Sequence, residues 1–200
     1  MNKYILGLIF TFLSVPLFSQ QFEGGFFGGL SASQVDGDTY AGYNKLGITA
    51  GAYTTRKINP KLNFKMEVRY IQKGAYKKPT DLDLSLFKTS LQYAEIPFLL
   101  QYFYNKKIYL ESGLVPEILL ASKEENEDGI KIPDPGRPFH RFVIEGTAGV
   151  GYFFTDHWSA GLRYTYSILP IRDHSDVLTY WLNQGQNNNV LSFTLYYHIR

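Results

Sequence analysis

The 200-residue sequence contains no cysteine. That excludes disulfides and thiolate metal sites and leaves the fold to packing and backbone pairing. It has no strong excess of either charge: 20 Lys+Arg against 18 Asp+Glu give a formal net charge of +2. The basic surplus that nucleic-acid binding requires is missing. Long apolar runs are scarce as well. The one present, "YILGLIFTFLSVPLF" from Tyr4, is interrupted by Pro16 and is shorter than the roughly 20 residues of a membrane-spanning helix. Lys3 precedes it and "SQQ" follows, the layout of a secretory signal peptide. The sequence thus predicts a signal peptide over 1–19, a mature domain over 20–200 and export from the cytoplasm.

What the chain has in quantity is Tyr (16), Phe (15) and Gly (18), arranged with a two-residue period. In "LNFKMEVRY", Leu62, Phe64, Met66, Val68 and Tyr70 alternate with Asn63, Lys65, Glu67 and Arg69, so a β-strand would send the two sets to opposite faces. Eight such segments recur, at about 22–34, 45–57, 61–73, 89–103, 107–121, 141–154, 157–169 and 189–199. An even number of regularly spaced strands favours an antiparallel meander closed into a barrel, because closure removes exposed edges. The connections alternate between tight ("INPK", "YNKK", "FTDH") and long (about 35–44, 74–88, 122–140, 170–188). One rim therefore carries every long loop, as in transmembrane barrels with long extracellular loops and short periplasmic turns.

A soluble eight-stranded barrel would alternate too, so the direction of each face has to be argued. The apolar face is too bulky for the narrow bore of eight strands. The polar face carries the small residues such a bore needs: Gly47, Gly51, Gly113, Gly149, Gly151 and Gly161. Aromatics gather near strand ends, including Tyr70, Tyr102, Tyr152, Phe154, Trp158, Tyr166 and Tyr197, as interfacial girdles require. The sequence therefore predicts an all-β, eight-stranded, antiparallel up-and-down transmembrane barrel in the outer membrane. Its apolar face meets lipid and its polar face fills the lumen.

Eight charged residues then belong inside: Lys65, Glu67, Arg69, Glu95, Glu111, Glu117, Glu145 and Arg163. An uncompensated buried charge costs several kcal/mol, so they must pair. They make either a salt-bridge plug or, in the sharper reading, an ion path. For a bore that side chains can fill, the plug is expected.

Several stretches resemble the Bacteroidetes outer-membrane β-barrel family described as porin-like or PorT-like. They are "GGLSASQVDGDTYAGYNKLGITAGAY", "EVRYIQKGAYK", "LQYAEIPFLLQYFY", "ESGLVPEILLASKEE", "RYTYSILPIRD" and "NNVLSFTLYYHI". The most specific is a YxEIPxLLxY segment formed by Tyr93, Glu95, Ile96, Pro97, Leu99, Leu100 and Tyr102. The resemblance implies an eight-stranded barrel of a Gram-negative cell, with one kind of member tied to a secretion apparatus. It implies no catalytic or ligand residues. The ending "YYHIR" departs from the usual terminal aromatic, a place Tyr197 could take.

Other candidate sites resolve into ordinary structure. Asp36 and Asp38 flank a glycine but lack the later ligands of a calcium loop, so a solvated turn is expected. Glu124, Glu125, Glu127 and Asp128 mark a charged surface loop. Asp173, His174 and Ser175 are adjacent, and a strand would point them to opposite faces rather than converge them as a triad. The last long loop carries Val177, Leu178, Tyr180, Trp181 and Leu182, an apolar candidate patch for contact with a partner or with lipid headgroups. No catalytic, cofactor or metal site is expected. The function expected is that of a non-catalytic structural or surface-interaction barrel, with a narrow channel or a secretion-system accessory as alternatives. The expected partners are outer-membrane lipid and a surface or secretion-system protein.

Overall fold

The computed structural model describes residues 22–37, 42–77, 86–125, 137–173 and 185–199. The expected signal peptide lies outside them, as does the patch at Val177, Leu178, Tyr180, Trp181 and Leu182. So do Asp38, Glu127, Asp128, His174 and Ser175.

Ten strands follow one another: β1 (Phe22–Asp36), β2 (Lys45–Asn59), β3 (Leu62–Lys77), β4 (Phe87–Glu95), β5 (Phe98–Phe103), β6 (Ile108–Glu125), β7 (Phe142–Phe153), β8 (Trp158–Ser167), β9 (Arg172–Asp173) and β10 (Gly185–Ile199). Each pairs antiparallel with its neighbour, and β1 returns to β10 from Gly24 opposite Ile199 to Asp36 opposite Asn187. The result is a closed ring of 8 strands. β4 and β5 together fill one place in it, both pairing β3 and β6. β9 is a two-residue stub on β10.

The break between β4 and β5 departs from the unbroken strand expected over 89–103, and proline explains it. Pro97 has no N–H to give the ladder, and Pro116 lies on the neighbouring β6. The gap is bridged by the Ile96 N–H donating to the Pro116 carbonyl (2.9 Å) and the Glu67 N–H donating to the Pro97 carbonyl (3.1 Å). Pairing is interrupted while the facing is kept, so Glu95 and Leu99 both point inward.

The two faces divide as alternation demands. Leu46, Val68, Leu100, Leu110, Leu114 and Phe193 stand exposed on the outside. At the tight-turn end Trp158 meets Tyr197 edge-on, with ring centroids 5.2 Å apart. Inside, small residues admit large ones. A Cβ at Gly151 would collide with the Tyr109 ring, and one at Gly51 would meet the Phe27 ring. Gly74 serves backbone instead: its φ of +137° is a conformation L-residues rarely adopt, and a side chain there would strike the Thr89 carbonyl.

A β-bulge reshapes one wall. Gln92 opposes Ala121 while Tyr93 opposes Leu119, leaving Leu120 unpaired on β6. One extra residue swaps the facing beyond it. Glu117 points inward below the bulge, and Glu124 points inward above it, opposite the buried Thr89. Glu124 and Glu125 are therefore residues of strand β6, Glu124 at the bore and Glu125 opposite Lys88, not part of the surface loop expected for them.

Candidate functional site: the lumen

Strand β3 runs the height of the bore and sets its order. From the tight-turn end its inward residues are Asn63, Lys65, Glu67, Arg69, Ile71, Lys73 and Ala75. All eight charged residues assigned to the lumen by alternation are buried, and ion pairs join them.

The lower group centres on Glu67, which is 0% exposed. Its carboxylate accepts from Lys65 at 2.8 Å, Arg69 at 2.8 Å and Arg163 at 2.9 Å. Arg163 reaches across from β8, spending one edge on Glu67 and the other on Glu111, where Nε and Nη2 donate at 2.9 and 2.6 Å. Such fork-shaped pairing is available to a guanidinium and not to an ammonium. Gln101 donates to the other Glu111 oxygen at 3.1 Å. The Lys65 ammonium lies 3.7 Å from the Tyr196 ring centroid, so aromatic faces supply part of its compensation.

The upper group depends on Lys73, which alternation over 61–73 did not mark as a lumen charge. Its ammonium contacts Glu95, Glu117 and Glu145, each at 2.6 Å. Register places Lys73 opposite Leu91, and Arg69 opposite Glu95. The side chain therefore leaves an apolar level and descends past the Tyr93 ring (5.1 Å) to the carboxylates. Arg69 links the two groups through Glu95 at 3.8 Å. The three carboxylates lie close enough to one another to hold a metal ion. The Lys73 ammonium occupies the position among them that a cation would take.

Above the charges the bore becomes apolar. Val35, Ile71, Leu91, Tyr93, Val143, Ile171 and Val190 form one buried cluster. Ile171 comes from the chain beyond β8, which turns inward at the mouth. It is fixed by its N–H donating to the Gln186 carbonyl (2.7 Å) and its carbonyl accepting from the His140 N–H (2.7 Å). Over this cluster Arg172 grips Glu124 with two hydrogen bonds of 2.9 and 2.8 Å and stacks 3.8 Å from the Phe139 ring. Asp173 is at the exposed rim, 3.5 Å from His140. Asp36 accepts from Gln34 (2.7 Å) and Asn189 (3.1 Å), the contacts of a tied-down strand end.

At the opposite end Ser159 Oγ lies 2.8 Å from His198 Nε2, and the Tyr53 hydroxyl bonds His198 Nδ1. Ser159 is 0% exposed, so its hydroxyl is not offered to a substrate. The chain of bonds ties β2, β8 and β10 together across the bore.

The fold finds its like among known proteins. Ail of Yersinia pestis, solved with the heparin analogue sucrose octasulfate, superposes with a TM-score of 0.54 at 13% identity, covering 90% of this chain and 99% of that one. Neisserial surface protein A superposes with a TM-score of 0.53 at 12% identity, covering 87% and 96%. No curated protein matches the sequence. The family model for the outer membrane protein beta-barrel domain matches residues 18–173. With its ring of outward apolar strands around a charged lumen, the chain belongs to that family, and its place is the outer membrane.

Proposed function

We propose that the chain is a non-catalytic barrel whose lumen is closed by its own side chains and whose work is structural or done at the cell surface. One observation carries this reading: along β3 every inward residue from Lys65 to Ala75 is buried, first by ion pairs and then by the apolar cluster. An ion crossing the bore would have to break pairs that are expensive to leave uncompensated and then pass an apolar layer.

The surface role agrees with two further features. The neighbour Ail was solved with a sulfated ligand, and this chain carries the apolar loop patch at Val177, Leu178, Tyr180, Trp181 and Leu182. The YxEIPxLLxY segment supports reading the chain as one of the PorT-like barrels of Bacteroidetes, and the signal peptide expected over 1–19 supports its export. No observation on the described residues favours the channel or the secretion-accessory alternative. Purified protein in planar bilayers is expected to give no large, steady conductance; such a conductance would overturn the closed-lumen reading.

A further inference from the structure

The bore is open at the end that carries the tight turns. A vestibule of about 500 Å³ lies there, within the roughly 300–1,000 Å³ of small-molecule sites. Its walls are aromatic. Phe103, Tyr109 and Phe153 pack against one another with ring centroids 5.6 to 6.2 Å apart, and His198 stacks on Phe153 at 4.7 Å. The floor is closed by Tyr53 and by Lys65, whose ammonium is held by Glu67.

The mouth is cationic. Lys57, Lys106 and Lys107 line it, exposed, and none has an ion-pair partner among the described residues. The acids of the same lining are Glu23 and Asp156, fewer than the lysines. Three unpaired ammonium groups around one opening make a local positive field that draws anions.

We propose that this vestibule binds a small amphipathic anion: an aromatic or branched apolar body bearing one carboxylate or sulfonate. The body lies against Phe103, Tyr109 and Phe153, and the negative group is held by Lys57, Lys106 and Lys107. The aromatic wall gains by losing its water, and the closed floor limits the ligand to what the cavity can hold. Because tight turns of outer-membrane barrels face the periplasm, the ligand enters and leaves from that side. The inference goes beyond the closed-lumen reading: the one-sided route rests on that reading, and binding in the vestibule does not.

The test is a ¹⁹F NMR titration of 4-(trifluoromethyl)benzoate with the barrel in zwitterionic nanodiscs, against empty nanodiscs. Saturable broadening is expected. It should weaken at least about tenfold in K57Q/K106Q/K107Q and vanish in T55W, because Thr55 lines the cavity and an indole there fills it. The neutral amide of the probe should bind weakly and ignore the lysine changes. Broadening no greater than in empty nanodiscs, or unchanged in the triple variant, overturns the proposal. If T55W does not fold, the triple variant decides, since its substitutions are confined to exposed residues; heat-modifiable gel migration shows that it is folded. Passage of the probe through proteoliposomes would sink the closed-lumen reading and leave binding intact.

Discussion

The lower and upper parts of the bore are built from the same strands and the same inward face, yet they are filled by opposite means. Below, Glu67, Glu111, Lys65, Arg69 and Arg163 pair in a charged layer. Above, Ile71, Leu91, Val143 and Ile171 pack as an ordinary apolar core. On β3 and β4 the outward residues turn polar at the same level, while Leu46, Ile48 and Leu120 on the flanking strands stay exposed and apolar. Val68 is bare and apolar, whereas Tyr70, Gln72 and Gln92 form a hydrogen-bonded trio just above it. The lower layer has a plain cause. Where lipid surrounds the barrel, apolar residues are drawn outward and the polar ones must satisfy each other inside. Toward the mouth the bore is instead filled by apolar side chains, which are hidden from water in the usual way.

Three substitutions probe that contrast, and unfolding in urea from lipid vesicles measures each. Glu67→Ala removes the acceptor shared by Lys65, Arg69 and Arg163. It should destabilise the barrel most, by about 3–5 kcal/mol, because three buried cations lose compensation together. Ile171→Ala opens a cavity in the apolar layer, with an expected loss of about 2–4 kcal/mol. A larger loss for Ile171→Ala than for Glu67→Ala would mean that the upper layer, not the charges, holds the barrel closed. Arg172→Lys exchanges a two-bond grip on Glu124 for a single contact at the rim, and should cost about 1 kcal/mol. If it costs as much as Glu67→Ala, the rim pair belongs energetically with the lumen charges.

The lower layer was legible in the sequence because every charge in "KMEVR" falls on one side of a strict alternation. Lys73 was not, since its neighbours obey the opposite rule: Ile71 and Ala75 are apolar and inward, and Gln72 faces out. Read by polarity alone, the strand changes sides at residue 71, although its backbone does not. Glu124 was hidden by the bulge at Leu120, which shifts facing by one residue without any glycine or proline to announce it. The split at Ile96–Pro97 had its signal in Pro97, and the reach of β4 and β5 as one ring position came from the alternation on either side.

The vestibule shows the same limit from another direction. Phe103, Tyr109 and Phe153 come from the adjacent strands β5, β6 and β7, where Phe103 lies directly opposite Tyr109, and closure of the ring brings Tyr53 and His198 to the same space. The sequence assigned their strand neighbours Tyr102, Tyr152 and Phe154 to the lipid-facing girdles and gave these three no role. Register turned these three inward, with Gly151 making room for Tyr109.

By itself the sequence determined the strand count, the antiparallel order, the outward apolar face and the charges that had to be enclosed. Each follows from a period of two and from the cost of placing a charge in hydrocarbon. Only the tertiary structure decided which base meets which acid, that Lys73 completes the upper group, and that an apolar cluster closes the mouth. Those outcomes depend on register, on a bulge and on side chains meeting across the bore, and residues such as Lys73 and Glu145 become neighbours only when the ring closes.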